Sequence, residues 1–315
     1  MSKPLHIGLV GAGAIGAQHL DALSMLAHVK VVSVAGKQTS QVEELAARYG
    51  IEHVCAELSE MLSLREVDAI ILCTPTPLHA RQAVQCLESG RHVLVEIPLA
   101  DSLVGAEAVL RSQQGSGLVA MCAHTRRFNS GHRWLHERID RGAFVLRQLD
   151  VQTHFLRRNN TNALGQPRNW TDHLLWHHAA HTVDLFEYQT GERVQTAHAL
   201  QGPVHPELRL ALDMSIQLRT RSGALCTLSL SFNNQGPYGS TFRYIGDGET
   251  FVARYDELVD GFGARIELPD SLLGGIAAQD QEFFAAIREK REPNASVASV
   301  LPCYRLLDEL ERQLI

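Results

Sequence analysis

The chain has 315 residues, 45% of them hydrophobic and 20% charged, and a formal net charge of −6 at pH 7. That length exceeds what one hydrophobic core usually serves, so two domains are expected. The acidic balance speaks against a nucleic-acid partner, which would show an excess of basic residues, and no apolar run approaches the roughly 20 residues of a membrane helix. The six cysteines, Cys55, Cys73, Cys86, Cys122, Cys226 and Cys303, are scattered with no CxxC pair. With no signal-peptide pattern at the N-terminus, they read as reduced thiols of a cytoplasmic protein.

Leu5–Val10 is a short apolar run that ends in glycines, and Gln18–Leu26 has helical spacing. Val29–Ala35 predicts a strand and Gln41–Tyr49 a helix. Val67–Cys73 is almost wholly apolar, which suits a strand covered on both faces. A helix over Leu78–Ser89, a strand over His92–Val95, a helix over Leu103–Gln113 and a strand over Leu118–Cys122 follow. Strands alternating with helices predict a doubly wound parallel α/β sheet, a Rossmann domain over residues 1–123. After Ala123 the texture changes. A helix over Trp170–Tyr188 precedes alternating runs at Arg209–Thr220, Leu225–Asn233, Thr241–Ile245 and Thr250–Tyr255. They predict an α+β domain with an open, mostly antiparallel sheet over residues 124–315. Helices over Gln279–Lys290 and Val300–Leu314 end the chain, and the last is free to return to the first domain.

Gly11-x-Gly13-x-x-Gly16 follows a strand and opens a helix, the context that separates a dinucleotide loop from an ordinary glycine-rich turn. Gly11 allows the tight turn, Gly13 the approach of the pyrophosphate, and Gly16 close helix packing. The amides around Ala14 and Ile15, at the helix N-terminus, are placed to meet the phosphates. An NAD-specific site usually carries an acidic residue about 20 residues further on, for the ribose 2′-hydroxyl. Val34–Ser40 has none. Lys37, with the hydroxyls of Thr39 and Ser40, suits a 2′-phosphate, so NADP is the expected cofactor and NAD the alternative.

Further stretches carry a resemblance. They are Cys73-Thr74-Pro75-Thr76 with His79 beyond, Gly90–Ala100 with Glu96-Ile97-Pro98 inside it, Phe284–Glu289, and Glu292-Pro293. Over essentially its whole length the chain resembles the glucose–fructose oxidoreductase / inositol dehydrogenase / rhizopine-catabolism family. The resemblance implies a Rossmann domain, a second domain whose open sheet often forms a subunit interface, and a homodimer or homotetramer. It also implies that Thr74, Pro75, Thr76, His79, Glu96 and Ile97 line the cofactor. One departure matters. The family commonly has a lysine between the Glu and Pro, beside the nicotinamide and the reacting hydroxyl, whereas Ile97 can move no proton. The acid–base work must lie elsewhere.

His173, His177 and His181 are spaced by four, so on an α-helix they share a face, with Asp184 three residues beyond His181. Against the family pattern Asp-x-Gly-x-His-x-x-Asp, His181 and Asp184 match the His and the last Asp, and His177 replaces the first Asp. Histidine suits proton removal near neutral pH. His181 or His177 is therefore the expected base, with Asp184 orienting His181. A histidine-rich core helix and a zinc site are the competing readings; with no HExxH pattern, no metal is expected. His178 is expected to point about 100° away from His177.

His124, Arg126 and Arg127 follow the last Rossmann strand, where the family places substrate-side residues. Val151–Thr171 contains no Asp or Glu, but it holds Arg157, Arg158 and Arg168 with several asparagines. Guanidinium forks bind carboxylates bidentately, so an anionic substrate with more than one carboxylate is expected. The substrate-binding candidates are His124, Arg126, Arg127, Arg157, Arg168, Asn169, Asp172, His173, Trp176 and His177. The segments Glu96–Asp101, Gly165–His178 and Ser229–Asn234 resemble family members that oxidise a dicarboxylated cyclic hemiacetal. That likeness implies NADP-dependent, base-assisted hydride transfer. Another dehydrogenase of a carboxylated alcohol, or a catalytically silent dinucleotide sensor, are the other readings.

Overall fold

A computed structural model describes residues 3–161, 165, 167–168, 170–268 and 274–314, apart from the side chain of Thr39. The chain divides into two compact units. One is the segment up to Ala123 together with Ile276–Leu301; the other is His124–Gly275 with Pro302–Ile315. The sequence reading gave residues 124–315 to the second domain, with the last helix free to return to the first; Ile276–Leu301 counts with the first unit and Pro302–Ile315 with the second. Backbone bonding explains the attachment: Met121 bridges Ser296, and the Cys122 amide donates to the Ala295 carbonyl at 3.0 Å.

In the first unit β1 (Leu5–Val10) leads to α1 (Ala14–Ser24), β2 (Val29–Ala35), α2 (Thr39–Tyr49), β3 (His53–Cys55) and α3 (Leu58–Leu62). Then come β4 (Ala69–Leu72), α4 (His79–Glu88), β5 (His92–Val95), α5 (Leu103–Gln113) and β6 (Ala120–Cys122). The strands are parallel, in the order β3-β2-β1-β4-β5-β6. Every residue of β4 is buried, as expected of a parallel strand covered on both faces. The strand order reverses between β1 and β4, the switch point beyond which such sheets bind dinucleotides. α5 is capped by the Ser102 hydroxyl, which accepts from the Gly105 amide at 3.2 Å. Sequence periodicity missed β3 and α3, which are too short to show a period.

The second unit starts with α6 (Ser130–Asp140), β7 (Leu146–His154) and a π-helical turn over Leu174–Ala179 that runs into α7 (Ala180–Thr190). β8 (Val194–Gln201), β9 (Asp213–Thr220), β10 (Leu225–Ser231), β11 (Gly239–Gly246), β12 (Thr250–Arg254) and β13 (Glu257–Asp260) follow. Then come α8 (Gly275–Glu289), most of which counts with the first unit, and α9 (Val297–Glu311). The sheet order is β13-β12-β11-β7-β10-β9-β8. Its pairs are antiparallel except β7 with β10. β9 alternates exposed and buried residue by residue, so one sheet face is covered and the other open. Among the described residues no helix is long and apolar enough to cross a membrane. All six cysteines are buried thiols outside any disulfide.

Candidate active site

The first unit carries a cradle for a dinucleotide. Gly11 has φ +113°, and a Cβ there would lie 2.3 Å from the Cys73 carbonyl oxygen. A Cβ on Gly16 would stand 2.0 Å from the Gly11 carbonyl oxygen, so only glycine lets α1 fold back this closely. Around the Cβ position of Gly13 nothing lies within 4 Å, which leaves the open side that a pyrophosphate needs. The Ala17 amide closes on the Gly13 carbonyl at 3.0 Å. The amides of Ala14, Ile15 and Gly16, in the turn before it, therefore have no partner within the helix and suit an anion. Beyond β2, Lys37 and Ser40 are exposed.

Other expected cofactor residues are already engaged. The Thr74 hydroxyl donates to Gln82 at 2.5 Å. His79 is buried, with its ring nitrogens 2.7 Å from the Pro98 carbonyl and 2.6 Å from the Thr74 carbonyl. His79 thus ties the ends of two strand loops together and presents no free nitrogen to a ligand. Pro75 and Thr76 are half-buried at the turn before α4. One Glu96 oxygen meets His19 at 2.9 Å and the other accepts from the Ile97 amide at 3.2 Å, so this carboxylate is internally bound. Ile97 is buried.

The second unit gathers histidines and arginines. The expected α-helix over Trp170–Tyr188 begins instead as the π turn, with His173 as its N-cap: His173 Nδ1 accepts from the Leu175 amide at 3.1 Å. The amides of His177 and His178 both reach the His173 carbonyl, at 3.0 and 3.4 Å. The His178 ring lies 4.8 Å from that of His177. The His177 and His181 rings are 6.3 Å apart, and His124 lies 6.5 Å from His181. Burial holds His181 well below the usual imidazole range, helped by Arg126 and His177; for His178, burial and then His177 have the same effect. Both rings are therefore neutral at pH 7, the form that accepts a proton. His181 Nδ1 and His178 Nε2 are buried with no protein partner.

The arginines separate into committed and available groups. Arg127 binds Asp184 with two bonds, Nε to Oδ2 at 2.8 Å and Nη2 to Oδ1 at 2.6 Å, and lies 4.7 Å over the Tyr188 ring. Asp184 is also 3.3 Å from His124 Nδ1. Asp184 therefore anchors Arg127 and His124 rather than orienting His181, and Arg127 joins this buried ion pair instead of offering its fork to a substrate. Arg157 and Arg168 both bond Asp172, so the first acid after the acid-free run neutralises half of its pair. Burial would raise the Asp172 carboxyl, but His177, Arg157 and Arg168 bring it down to about 2. Arg126 Nε, Arg157 Nη1 and Arg168 Nε remain buried without a protein acceptor. Unmet donors of this kind are costly unless something fills them, and an anion does so. Trp176 is buried and donates to Glu311 at 2.8 Å, so it supports the turn from behind. Asn169 lies outside the described residues. Among those residues no group of three His, Cys, Asp or Glu is arranged to hold a metal ion.

Sequence reading missed His19 and Asp280, which join Glu96 in the first unit. His19 Nδ1 is 2.8 Å from Asp280, across 261 positions of chain, so only its place in the apolar helix after the glycine loop could have drawn attention to it.

Residues 5–124 match the family model described as "Oxidoreductase family, NAD-binding Rossmann fold", and residues 130–271 the model "Bacterial oxidoreductases, C-terminal". The chain is 57% identical over 312 residues to the 4-carboxy-2-hydroxymuconate-6-semialdehyde dehydrogenase of Sphingobium sp. strain SYK-6, covering 98% of this chain and 99% of that protein. It is 23% identical over 269 residues to the myo-inositol 2-dehydrogenase of Thermotoga maritima, covering 83% of this chain and 73% of that one. The WlbA dehydrogenase of Bordetella pertussis, solved with NADH and UDP-GlcNAcA, has the same fold with a TM-score of 0.84 at 20% identity, covering 99% of this chain and 96% of that one. The first unit is thus an NAD(P)-binding Rossmann domain, and the chain is an oxidoreductase that belongs to the glucose–fructose oxidoreductase / inositol dehydrogenase / rhizopine-catabolism family.

Proposed function

We propose that the chain oxidises the cyclic hemiacetal of 4-carboxy-2-hydroxymuconate-6-semialdehyde to the lactone 2-pyrone-4,6-dicarboxylate, with NADP⁺. The observation that carries the reading is neutral His181 and His178 near Arg126 and Arg157, which with Arg168 hold unpartnered N–H groups that suit a dicarboxylate. The 57% identity to a dehydrogenase of that name supports the substrate. Lys37, exposed after β2 with no acid from Gly36 to Ser40, supports NADP over NAD.

The residues divide the work. The glycine loop and the first turn of α1 hold the pyrophosphate, and Lys37 with Ser40 meets the 2′-phosphate. Bound NADP⁺ supplies the hydride acceptor. The arginines grip the two carboxylates and so fix the ring carbon that loses hydride, which makes anchoring part of catalysis. His181, neutral and with a free Nδ1, removes the hemiacetal O–H proton as the C–H bond breaks. His177 lies beside it as the alternative base. Oxidation of the hemiacetal needs no covalent thiol intermediate, consistent with cysteines that are all buried.

The test is to mix the purified protein with NADP⁺ and freshly ring-cleaved protocatechuate, then follow NADPH absorbance and pyrone formation. Matching yields of NADPH and pyrone are expected. NADPH from other carboxylated alcohols only would move the substrate elsewhere in the family. Dinucleotide binding without turnover on any of them would make the chain a sensor.

A further inference from the structure

His19 lies in the second turn of α1, the helix that opens at the glycine loop, and is fully buried. Its Nδ1 is 2.8 Å from Asp280 of α8 and its Nε2 is 2.9 Å from Glu96, which follows β5. The Cys73 thiol, just after β4, also faces the ring. Asp280, Glu96 and Cys73 are the titratable groups that face it. An ionised carboxylate only accepts, so two of them on opposite ring nitrogens require both nitrogens to donate. That is the imidazolium. Burial alone would favour the neutral ring, but the attraction of Asp280 raises the pKa well above the ordinary value.

The cluster reaches three strand ends on the side where dinucleotides bind. His19 belongs to the helix after β1, and Cys73 carries the carbonyl against which Gly11 turns. Glu96 also accepts from the Ile97 amide, which pins the backbone after β5. We propose that His19 is a positioning residue for the dinucleotide: held as a cation between Glu96 and Asp280, it bolts the segments after β1, β4 and β5 to α8 and so sets the floor of the cofactor crevice. It touches no phosphate and acts through the loops it fixes.

Asp280→Asn tests this without changing the shape of the cluster. Without the Asp280 charge, the His19 pKa falls. Above the new value the ring has a single N–H and loses its hold on one partner. The dissociation constants of NADP⁺ and NAD⁺ are measured by intrinsic fluorescence for the wild type and the variant. The ratio of variant to wild type is expected to rise at least about tenfold between about pH 6 and pH 9, as the freed histidine titrates. A ratio that stays flat over that range overturns the proposal, because lost packing alone has no such pH profile. Histidine-selective ¹⁵N NMR of the wild type gives a second reading free of folding effects. One histidine should keep both nitrogens protonated at about pH 8.5, in a signal that moves in Asp280→Asn. The absence of such a histidine also overturns it. Both measurements use dinucleotide alone or no ligand, so they stand whichever substrate the enzyme takes.

Discussion

His19 and His181 are buried imidazoles with opposite surroundings. His19 has a carboxylate on each nitrogen and is held charged. His181 has Arg126 and three other histidines about it, and is held neutral with a nitrogen left over. On the proposed reading, one side chain serves as a fixed cation in the first unit and as a proton acceptor in the second. Residue type and burial do not set the role; the sign of the neighbouring charges does. A histidine between two acids is a structural bolt, whereas one among cations is poised to take a proton when an anion arrives.

The sharpest way to break this contrast is His181→Ala. On the proposed reading it lowers kcat by about two to four orders of magnitude, the usual span of general-base effects. If steady-state kinetics show full activity in both His181→Ala and His177→Ala, the base assignment fails. The wild-type pH–rate profile sharpens the same point. A base must be unprotonated, and the His181 pKa is lowered, so the acid limb of kcat/KM should fall below about pH 6.5. Arg126→Ala comes next. Removing this buried cation, whose Nε has no protein acceptor, should raise the substrate KM about 10- to 100-fold with a smaller change in kcat.

Asp172 tests the second unit through stability. Its carboxyl is lowered from 3.8 to about 2, so its contribution is fully present above about pH 4 and is lost as the pH falls through about 2. Asp172→Asn should therefore cost about 1–2 kcal/mol at neutral pH and less near pH 2, as urea unfolding at both pH values would show. Equal losses at the two would remove the ion pairs from the account. The smallest effect expected is on cofactor choice: Lys37→Asp should shift the NADP/NAD ratio of kcat/KM about five- to tenfold toward NAD, and an unchanged ratio would sink the assignment.

The Rossmann half was legible because its signals are local. The glycine loop, the apolar run around β4 and the missing acid after β2 are each contained in a few consecutive residues. The strand alternation of β9 and β10 was legible for the same reason. What stayed hidden depends on distant partners. The acid-free run around Arg157 and Arg168 looked wholly cationic because Asp172 stands one residue beyond it. Asp184 looked like a partner for His181 by helical spacing, but Arg127, 57 positions away, claims it. His19 and Asp280 meet across 261 positions, which no periodicity reports. β7 was overlooked because its polar outward residues blend into the loop that follows.

The widened turn at Leu174–Ala179 has a meaning in the gene. A π turn is an α-helix that has accepted one extra residue, and a single in-frame codon insertion creates it in one step. Deleting one codon, such as that for Leu175, would restore the α repeat and swing His178 about 100° around the helix relative to the residues before it. A change of register, with no new side chain required, is thus enough to turn His177, His178 and His181 together relative to His173. Insertions and deletions here deserve the scrutiny usually given to substitutions when relatives of this enzyme are sorted by what they oxidise.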